Sequence, residues 1–302
     1  MAFPTDTATS ADLAVLIPSI WGTRINDFFR EDLITARFFT DRSDELAGGG
    51  NTLITPGLTQ MSATAKTTAQ AVTLSSPTET SKNLVVSTWV ETSFAIEDVQ
   101  AAQVKQSYSL QERYAKNAAF SVAQALENAI IALFSGFSGS VGASNTNLAD
   151  SEIRAAIATL ETSKVPGVYT GDVAFFMHPN TFWKQIQNLD KFSLAINSPV
   201  NDPTAKKPDA HLYGIPVYRT PNIPTVSGVS GRYNVLAHKD AIHWASVKLP
   251  VMTYGRGYVG DMGVRVQSSY IPDYLSTVTT ADICYGVIEN RDDAGIKILS
   301  NA

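Results

Sequence analysis

The sequence predicts an α+β fold, and three stretches carry that prediction. Residues 51–90 hold 15 serines and threonines but only three charges, Lys66, Glu79 and Lys82. Such a composition favours extended chain, because hydroxyl side chains compete for backbone bonds and β-branched ones lose freedom in a helix. Phe94 to Ser135 contains neither glycine nor proline, and its apolar residues recur at spacings of three and four, the period of a helix. From about residue 141 onward, short apolar runs alternate with helical stripes in the pattern of a compact α/β region.

Taken in order, residues 11–39 come first, with Leu13, Leu16, Ile17, Ile20, Trp21, Ile25, Phe28, Phe29, Leu33 and Ile34. Their spacing predicts an amphipathic helix broken near Pro18 or Gly22. The acidic run Asp41-Arg42-Ser43-Asp44-Glu45 and the triple glycine Gly48-Gly49-Gly50 follow, so this apolar arm has little adjacent sequence to pack on and should dock on something distant. Residues 51–90 read as a long hairpin. Leu84, Val86, Val90, Phe94 and Ile96 alternate along its returning arm, and Ser75-Ser76-Pro77 marks a turn. The outer hairpin has almost nothing to bury, and an unprotected strand edge is a template for pairing with another chain, which points to an inter-subunit contact.

The run from Phe94 to Ser135, with Ala115, Ala119, Val122, Leu126, Ile130 and Leu133 on one stripe, predicts one helix of about 36 to 40 residues, a rod of roughly 55 to 60 Å. Glu97 and Asp98 suit its first turn. After the linker Ser138 to Ser144 the chain predicts a helix through Ile153, Ile157 and Leu160, a buried strand Val173–Met177, a short helix Thr181–Leu189 and a strand Ile215–Tyr218. Asn201 to Asp209 reads as a surface loop. Asn234–Ala237 reads as a strand followed by a short helical turn, Val264–Gln267 and Asp282–Glu289 as strands, and Asp292-Asp293-Ala294-Gly295 as the turn into Ile296–Ile298. No internal repeat is visible.

Composition narrows the function. With 302 residues, 44% hydrophobic and 17% charged, the chain is globular and long enough for about two compact units. Its net charge of −5 leaves no broad basic footprint for gripping nucleic acid. No stretch approaches the roughly 18 consecutive apolar residues of a membrane span, and the start Met1 to Asp6 lacks a signal peptide's positive region. A cytoplasmic site of synthesis is expected. The single cysteine, Cys284, excludes an intrachain disulfide and a multi-cysteine metal site.

Motifs for chemistry fail on context. Gly255-Arg256-Gly257-Tyr258-Val259-Gly260 matches G-x-G-x-x-G, yet a strand-like stretch follows where a dinucleotide site needs a helix. A bent strand or bulge is the simpler reading. His178, His211, His238 and His243 include no metal-binding pair, and His238 and His243 read as helix-end or surface residues. Gly136-Phe137-Ser138-Gly139-Ser140 lacks the last glycine of a nucleophile elbow. Asp41, Asp44, Glu45, Asp292 and Asp293 read as solvated turns rather than a cation site, and Gly48-Gly49-Gly50 as a hinge. The expectation is a non-enzyme with no catalytic residue, no cofactor and no metal.

The order of elements, and several short motifs, resemble the major capsid proteins of tailed bacteriophages, whose fold is shared with encapsulins and the herpesvirus capsid floor. The motifs are Phe94-Ala95-Ile96-Glu97-Asp98-Val99-Gln100, Met177-His178-Pro179-Asn180-Thr181, and Leu212-Tyr213-Gly214-Ile215-Pro216-Val217. Leu189-Asp190-Lys191 departs from that family by lacking the glycine that often follows. The resemblance implies an N-terminal arm (1–45), an extended loop (46–93), a peripheral domain with a spine helix (94–140 and 241–275) and an axial domain (141–240 and 276–302). It implies a virion structural protein that self-assembles into hexamers and pentamers of an icosahedral head enclosing double-stranded DNA, without sequence-specific binding and without a membrane. Its partners would be other copies of itself, a portal, decoration proteins and a scaffolding protein, the last expected as a separate chain because the arm begins near residue 11. Trp21, Phe28 and Phe29 on the arm, with Thr64, Lys66 and Thr68 on the loop, are the candidate inter-subunit contacts. The rival readings are an encapsulin-type shell and a nucleotide-dependent enzyme resting on Gly255 to Gly260.

Overall fold

The computed structural model describes residues 33–74, 76–103, 110–186, 189, 211–251, 256–259 and 261–302. In chain order, α1 (Thr35–Phe38) leads into β1 (Thr40–Asp41), a 3-10 turn at Ser43–Leu46, β2 (Thr52–Leu58), β3 (Glu79–Val85) and β4 (Thr88–Glu97). Next come α2 (Asp98–Gln103), α3 (Leu110–Ala132), β5 (Gly139–Gly142), α4 (Asp150–Thr162), β6 (Val173–Met177) and a π-helical turn at Thr181–Gln185. The remaining strands are β7 (His211–Leu212), β8 (Ile215–Arg219), β9 (Arg232–His238), β10 (Ile242–Val247), β11 (Arg256–Val259), β12 (Arg265–Ile271), β13 (Ser276–Glu289) and β14 (Gly295–Ser300), with 3-10 turns at Asp261–Gly263, Pro272–Tyr274 and Asp292–Ala294.

These strands form two six-stranded sheets and the hairpin β2–β3. The first sheet is organised on β13, whose 14 residues pair with β4 along one edge and with β12 and then β10 along the other. Its pleat sends Ala281, Ile283 and Tyr285 to one face, where they meet Val122, Leu126 and Ile130 of α3. The apolar stripe of α3 falls at spacings of four and so forms a single seam against that face. Each such side chain contributes about 1.5–3 kcal/mol on burial. The opposite face is covered at one end by the hairpin root, where Leu84 and Val86 pack with Leu46 and Ala245. Gly286 marks the crossing, since a Cβ there would lie 2.2 Å from the Val85 carbonyl oxygen.

The second sheet runs β5-β14-β9-β6-β8-β7. All five residues of β6 are buried because both faces are covered. Val173, Phe175 and Met177 meet Ile153, Ala156 and Leu160 of α4, while Ala174 and Phe176 join the cluster on α3. Glu152 Oε2 accepts the Ala149 backbone N–H at 2.8 Å, which fixes the start of α4.

Several expectations need correction. The helix expected from Phe94 begins at Asp98, because Thr88–Glu97 pairs with β13 over ten residues and places Val90 and Phe94 against the core. Its described parts are α2 and the 23-residue α3, about 35 Å long, and residues 104–109 between them lie outside the described residues. The expected helical turn after Ala237 is a tight turn, Ala241 N–H to His238 C=O at 2.9 Å, that carries the chain from the second sheet to the first. His238 and His243 are therefore buried in or beside strands rather than at a helix end or surface. Ser276–Glu289 belongs to the first sheet, so the chain returns to the second only at Gly295. Arm residues 11–32, Ser75 of the expected turn, and the loop 201–209 lie outside the described residues.

By length and hydropathy Glu112–Ser135 would also pass for a membrane span. Here Val122, Leu126 and Ile130 are fully buried against β13.

Candidate assembly surface

The hairpin root is regular, with Thr52 opposite Val85 and Leu58 opposite Glu79. Beyond it the ladder ends. Thr59 N–H donates to Thr78 C=O at 3.3 Å, and a turn is closed by Gln70 N–H to Thr67 C=O at 3.4 Å, with Ala69 at φ 64°. Thr64, Lys66 and Thr68 all lie here, exposed. Lys66 Nζ donates to the Gln70 carbonyl at 2.7 Å, which ties the ammonium across the turn.

The sequence reading missed the apolar side chains of this loop. Leu58 is 82% exposed, Leu74 is 90% exposed, and Met61 and Val72 are also open. Counting hydroxyls hid them, although a leucine, a methionine, a valine and a leucine at 58, 61, 72 and 74 were visible among the polar residues. Large apolar side chains grouped on one exposed segment mark an interaction surface, whereas singly scattered ones do not.

Trp21, Phe28 and Phe29 lie outside the described residues. The described end of the arm is anchored on the core by a device the sequence reading did not single out. Glu127, on the buried side of α3 and 1% exposed, accepts backbone N–H groups from Ile34 at 3.0 Å, Thr35 at 2.8 Å and Ala36 at 3.0 Å. These are the first donors of α1, which no residue within the helix can satisfy. Phe38 and Phe39 then insert among Phe134, Phe176 and Tyr218 with ring centroids 5.2 to 6.1 Å apart. Trp244 Nε1–H donates to the Ala36 carbonyl at 2.9 Å, and β1 adds to β10 in parallel. The available signal was Glu127 itself, the one charged residue between Lys116 and the end of α3.

The residues of the sequence motifs make local contacts within the fold. Arg256–Val259 is one arm of an antiparallel hairpin with Arg265–Ser268, and the turn Asp261–Gly263, not a helix, follows it. Gly255 and Gly260 lie outside the described residues. Asp41 accepts from the backbone and hydroxyl of Ser43. Glu45 pairs with Arg42, whose guanidinium holds the Glu45 carboxyl below its ordinary range. Asp292 accepts from Ser138. Burial next to Asp292 raises the Glu289 carboxyl above its ordinary range. Among the described residues no three histidine, cysteine or carboxylate groups come together as metal ligands would.

Two six-stranded sheets, a long helix packed on both and a protruding hairpin make up the fold, and solved phage capsid structures share that fold. It is similar to a structure from Mycobacterium phage Che8 (TM-score 0.74, 17% identity, covering 93% of this chain and 96% of that one). It is also similar to the capsid structure of the cyanophage P-SCSP1u (TM-score 0.72, 13% identity, 98% and 96% covered). The capsid of a native GTA particle is a third likeness (TM-score 0.71, 13% identity, 99% and 100% covered). No protein-family model matches the chain, and no curated protein matches it.

Proposed function

We propose that the chain is a major capsid protein, a structural subunit that closes with copies of itself as hexamers and pentamers into the head of a tailed bacteriophage around double-stranded DNA. The observation that carries this reading is the extended loop. Its apolar side chains at Leu58, Met61, Val72 and Leu74 find no cover in their own subunit, and a shell of identical subunits supplies that cover at every repeat. The fold likeness over nearly the whole chain supports it. The net charge of −5 suits a container that must not adhere to its DNA.

In this reading the arm is 1–45, the extended loop 46–93, and the peripheral part takes 94–140 with 241–275. Because β13 belongs to the first sheet, we place Ser276–Glu289 with the peripheral part and leave 141–240 with 290–302 as the axial part. A portal, a scaffolding protein and decoration proteins are the further partners, and the virion is the destination. Electron microscopy of the purified product tests the reading. Closed shells of uniform size, filled with DNA when isolated from infected cells, are expected. Free small oligomers, or shells loaded with an enzyme and devoid of DNA, would reject it.

A further inference from the structure

The first residues of the described chain, Leu33 and Ile34, line a groove of about 690 Å³, together with Phe38 on α1, Tyr218 on β8 and Met262 in the turn before β12. Ile34, Phe38, Tyr218 and Met262 each pack one side against the core and are only half-buried. Phe38 and Tyr218 meet edge to face with ring centroids 5.8 Å apart. A further ring placed in the groove would extend this cluster in the arrangement that aromatic pairs prefer. Its volume falls in the range of cavities that enclose small organic groups.

The way α1 begins sets where the preceding chain arrives. In a helix running on from the arm, the N–H groups of Ile34, Thr35 and Ala36 would bond the carbonyls of residues 30, 31 and 32. The Glu127 carboxylate takes all three instead. The helix therefore starts here, and the chain leaves it beside Leu33, at the wall of the groove. Phe29 and Phe28 stand four and five residues before Leu33, and five residues span at most about 16 to 18 Å. Both rings are thus within reach.

Charge favours the same segment. Arg37, at the edge of the groove, is exposed and makes no ion pair among the described residues. Lys239 lies at the edge too, paired with Asp172. The approaching segment carries Asp27, Glu31 and Asp32 against Arg30 alone, so it is acidic where the rim is basic. The exposed loop of a second copy is the rival occupant. Lys66 is its only charge between Leu58 and Leu74, and it would meet cations of its own sign.

We propose that residues 27–32 turn back on their own subunit, so that Phe28 and Phe29 fill this groove and the carboxylates beside them face Arg37. This assigns to the subunit itself two aromatic residues that the sequence reading gave to a neighbour. It concerns the single folded chain and does not rest on shell formation.

Cross-linking of the full chain tests it, with Cys284→Ser in every variant so that no other thiol reacts. Phe28→Cys with Met262→Cys, treated with a short bis-maleimide, should link at least about fivefold more than Trp21→Cys with Met262→Cys, because only a position held at the groove has a raised effective concentration there. Subunits with and without a heavy-isotope label are mixed beforehand, and linked peptides that carry a single label come from one chain. Links of this kind at position 28 support the proposal. No link at position 28, or equal yields from positions 21 and 28, overturns it. Links of mixed label overturn it as well, by giving the groove to another copy. Should the variants not fold, nuclear Overhauser contacts in the wild type decide, measured between the Phe28 and Phe29 ring protons and the Met262 methyl group. Contacts within one chain support the proposal, whereas their absence, or their occurrence only between labelled and unlabelled chains, overturns it.

Discussion

Glu127 and Thr35, 92 residues apart, are joined by a 2.8 Å bond from the Thr35 backbone N–H to the Glu127 carboxylate, and both residues are fully buried. With Ile34 and Ala36 donating to the same group, one side chain of the long helix fixes the direction in which the arm leaves the subunit. Removing it strands the buried donors of Thr35 and Ala36 out of water and unpairs the half-buried donor of Ile34. An unsatisfied buried group costs about 1–3 kcal/mol, so Glu127→Ala should lose roughly 3–5 kcal/mol in urea denaturation. Glu127→Gln keeps one acceptor oxygen and should fall between. A loss below about 0.5 kcal/mol would mean that water replaces the carboxylate freely.

The hairpin root makes a second, steric prediction. At Gly286 an added Cβ would run into the Val85–Val86 peptide, with Val85 O at 2.2 Å, Val85 C at 2.8 Å and Val86 Cα at 3.0 Å. Backbone cannot rotate aside as a side chain can. Gly286→Ala should therefore cost about 1–3 kcal/mol or more and lift the hairpin from the sheet. Gly48→Ala, with nothing within 4 Å of the new atom, is the control and should melt within about 1 °C of the wild type. Equal melting temperatures for the two would show that the hairpin does not seat where β3 crosses β13.

A third prediction concerns Asp282, 1% exposed on β13. The Arg265 guanidinium grips it with two bonds, 2.9 and 2.5 Å, and the Trp89 indole N–H donates to it at 2.9 Å. The carboxylate in turn raises the Arg265 guanidinium above its ordinary range. Breaking one partner of such a pair leaves an uncompensated charge, so Asp282→Ala should cost about 3–5 kcal/mol. Replacing both, Asp282→Leu with Arg265→Met, should recover most of that loss. If the double variant is as unstable as the single one, the ion pair is not the source of the effect.

What was legible in the sequence was whatever a local period encodes. The stripe Val122, Leu126, Ile130 and the run Val173–Met177 announce a packed helix and a doubly covered strand, and both occur as expected. The boundary at Asp98 was not legible. Residues 94–97 supported two readings at once, a strand through the alternating Val90, Phe94 and Ile96 and a helix in a run without glycine or proline, and pairing with β13, some 190 residues away, decides for strand. The assignment of β9 and β10 to different sheets is likewise a long-range outcome, and it buries two histidines that look like surface residues in isolation. The contacts named on the loop, Thr64, Lys66 and Thr68, are exposed there, but the apolar positions between the hydroxyls were passed over.

Those apolar positions give the last prediction. Leu58 and Leu74, 82% and 90% exposed, contribute almost nothing to the fold of their own subunit. Leu58→Ser with Leu74→Ser should thus leave the unfolding free energy of the isolated subunit unchanged to within about 0.5 kcal/mol. On assembly each leucine that is covered contributes about 1.5–3 kcal/mol. Losing two at every contact removes at least about 3 kcal/mol, which is roughly a hundredfold in the association constant. The concentration needed to form closed particles, measured by sedimentation or light scattering, should rise accordingly. Replacing residues 60–77 with a short Gly-Ser turn should have the same effect more strongly, because the described residues of that segment have no strand pairing of their own. A subunit that loses its cooperative transition when shortened would show that the loop belongs to the core, and particles that close at the wild-type concentration would show that it takes no part in assembly.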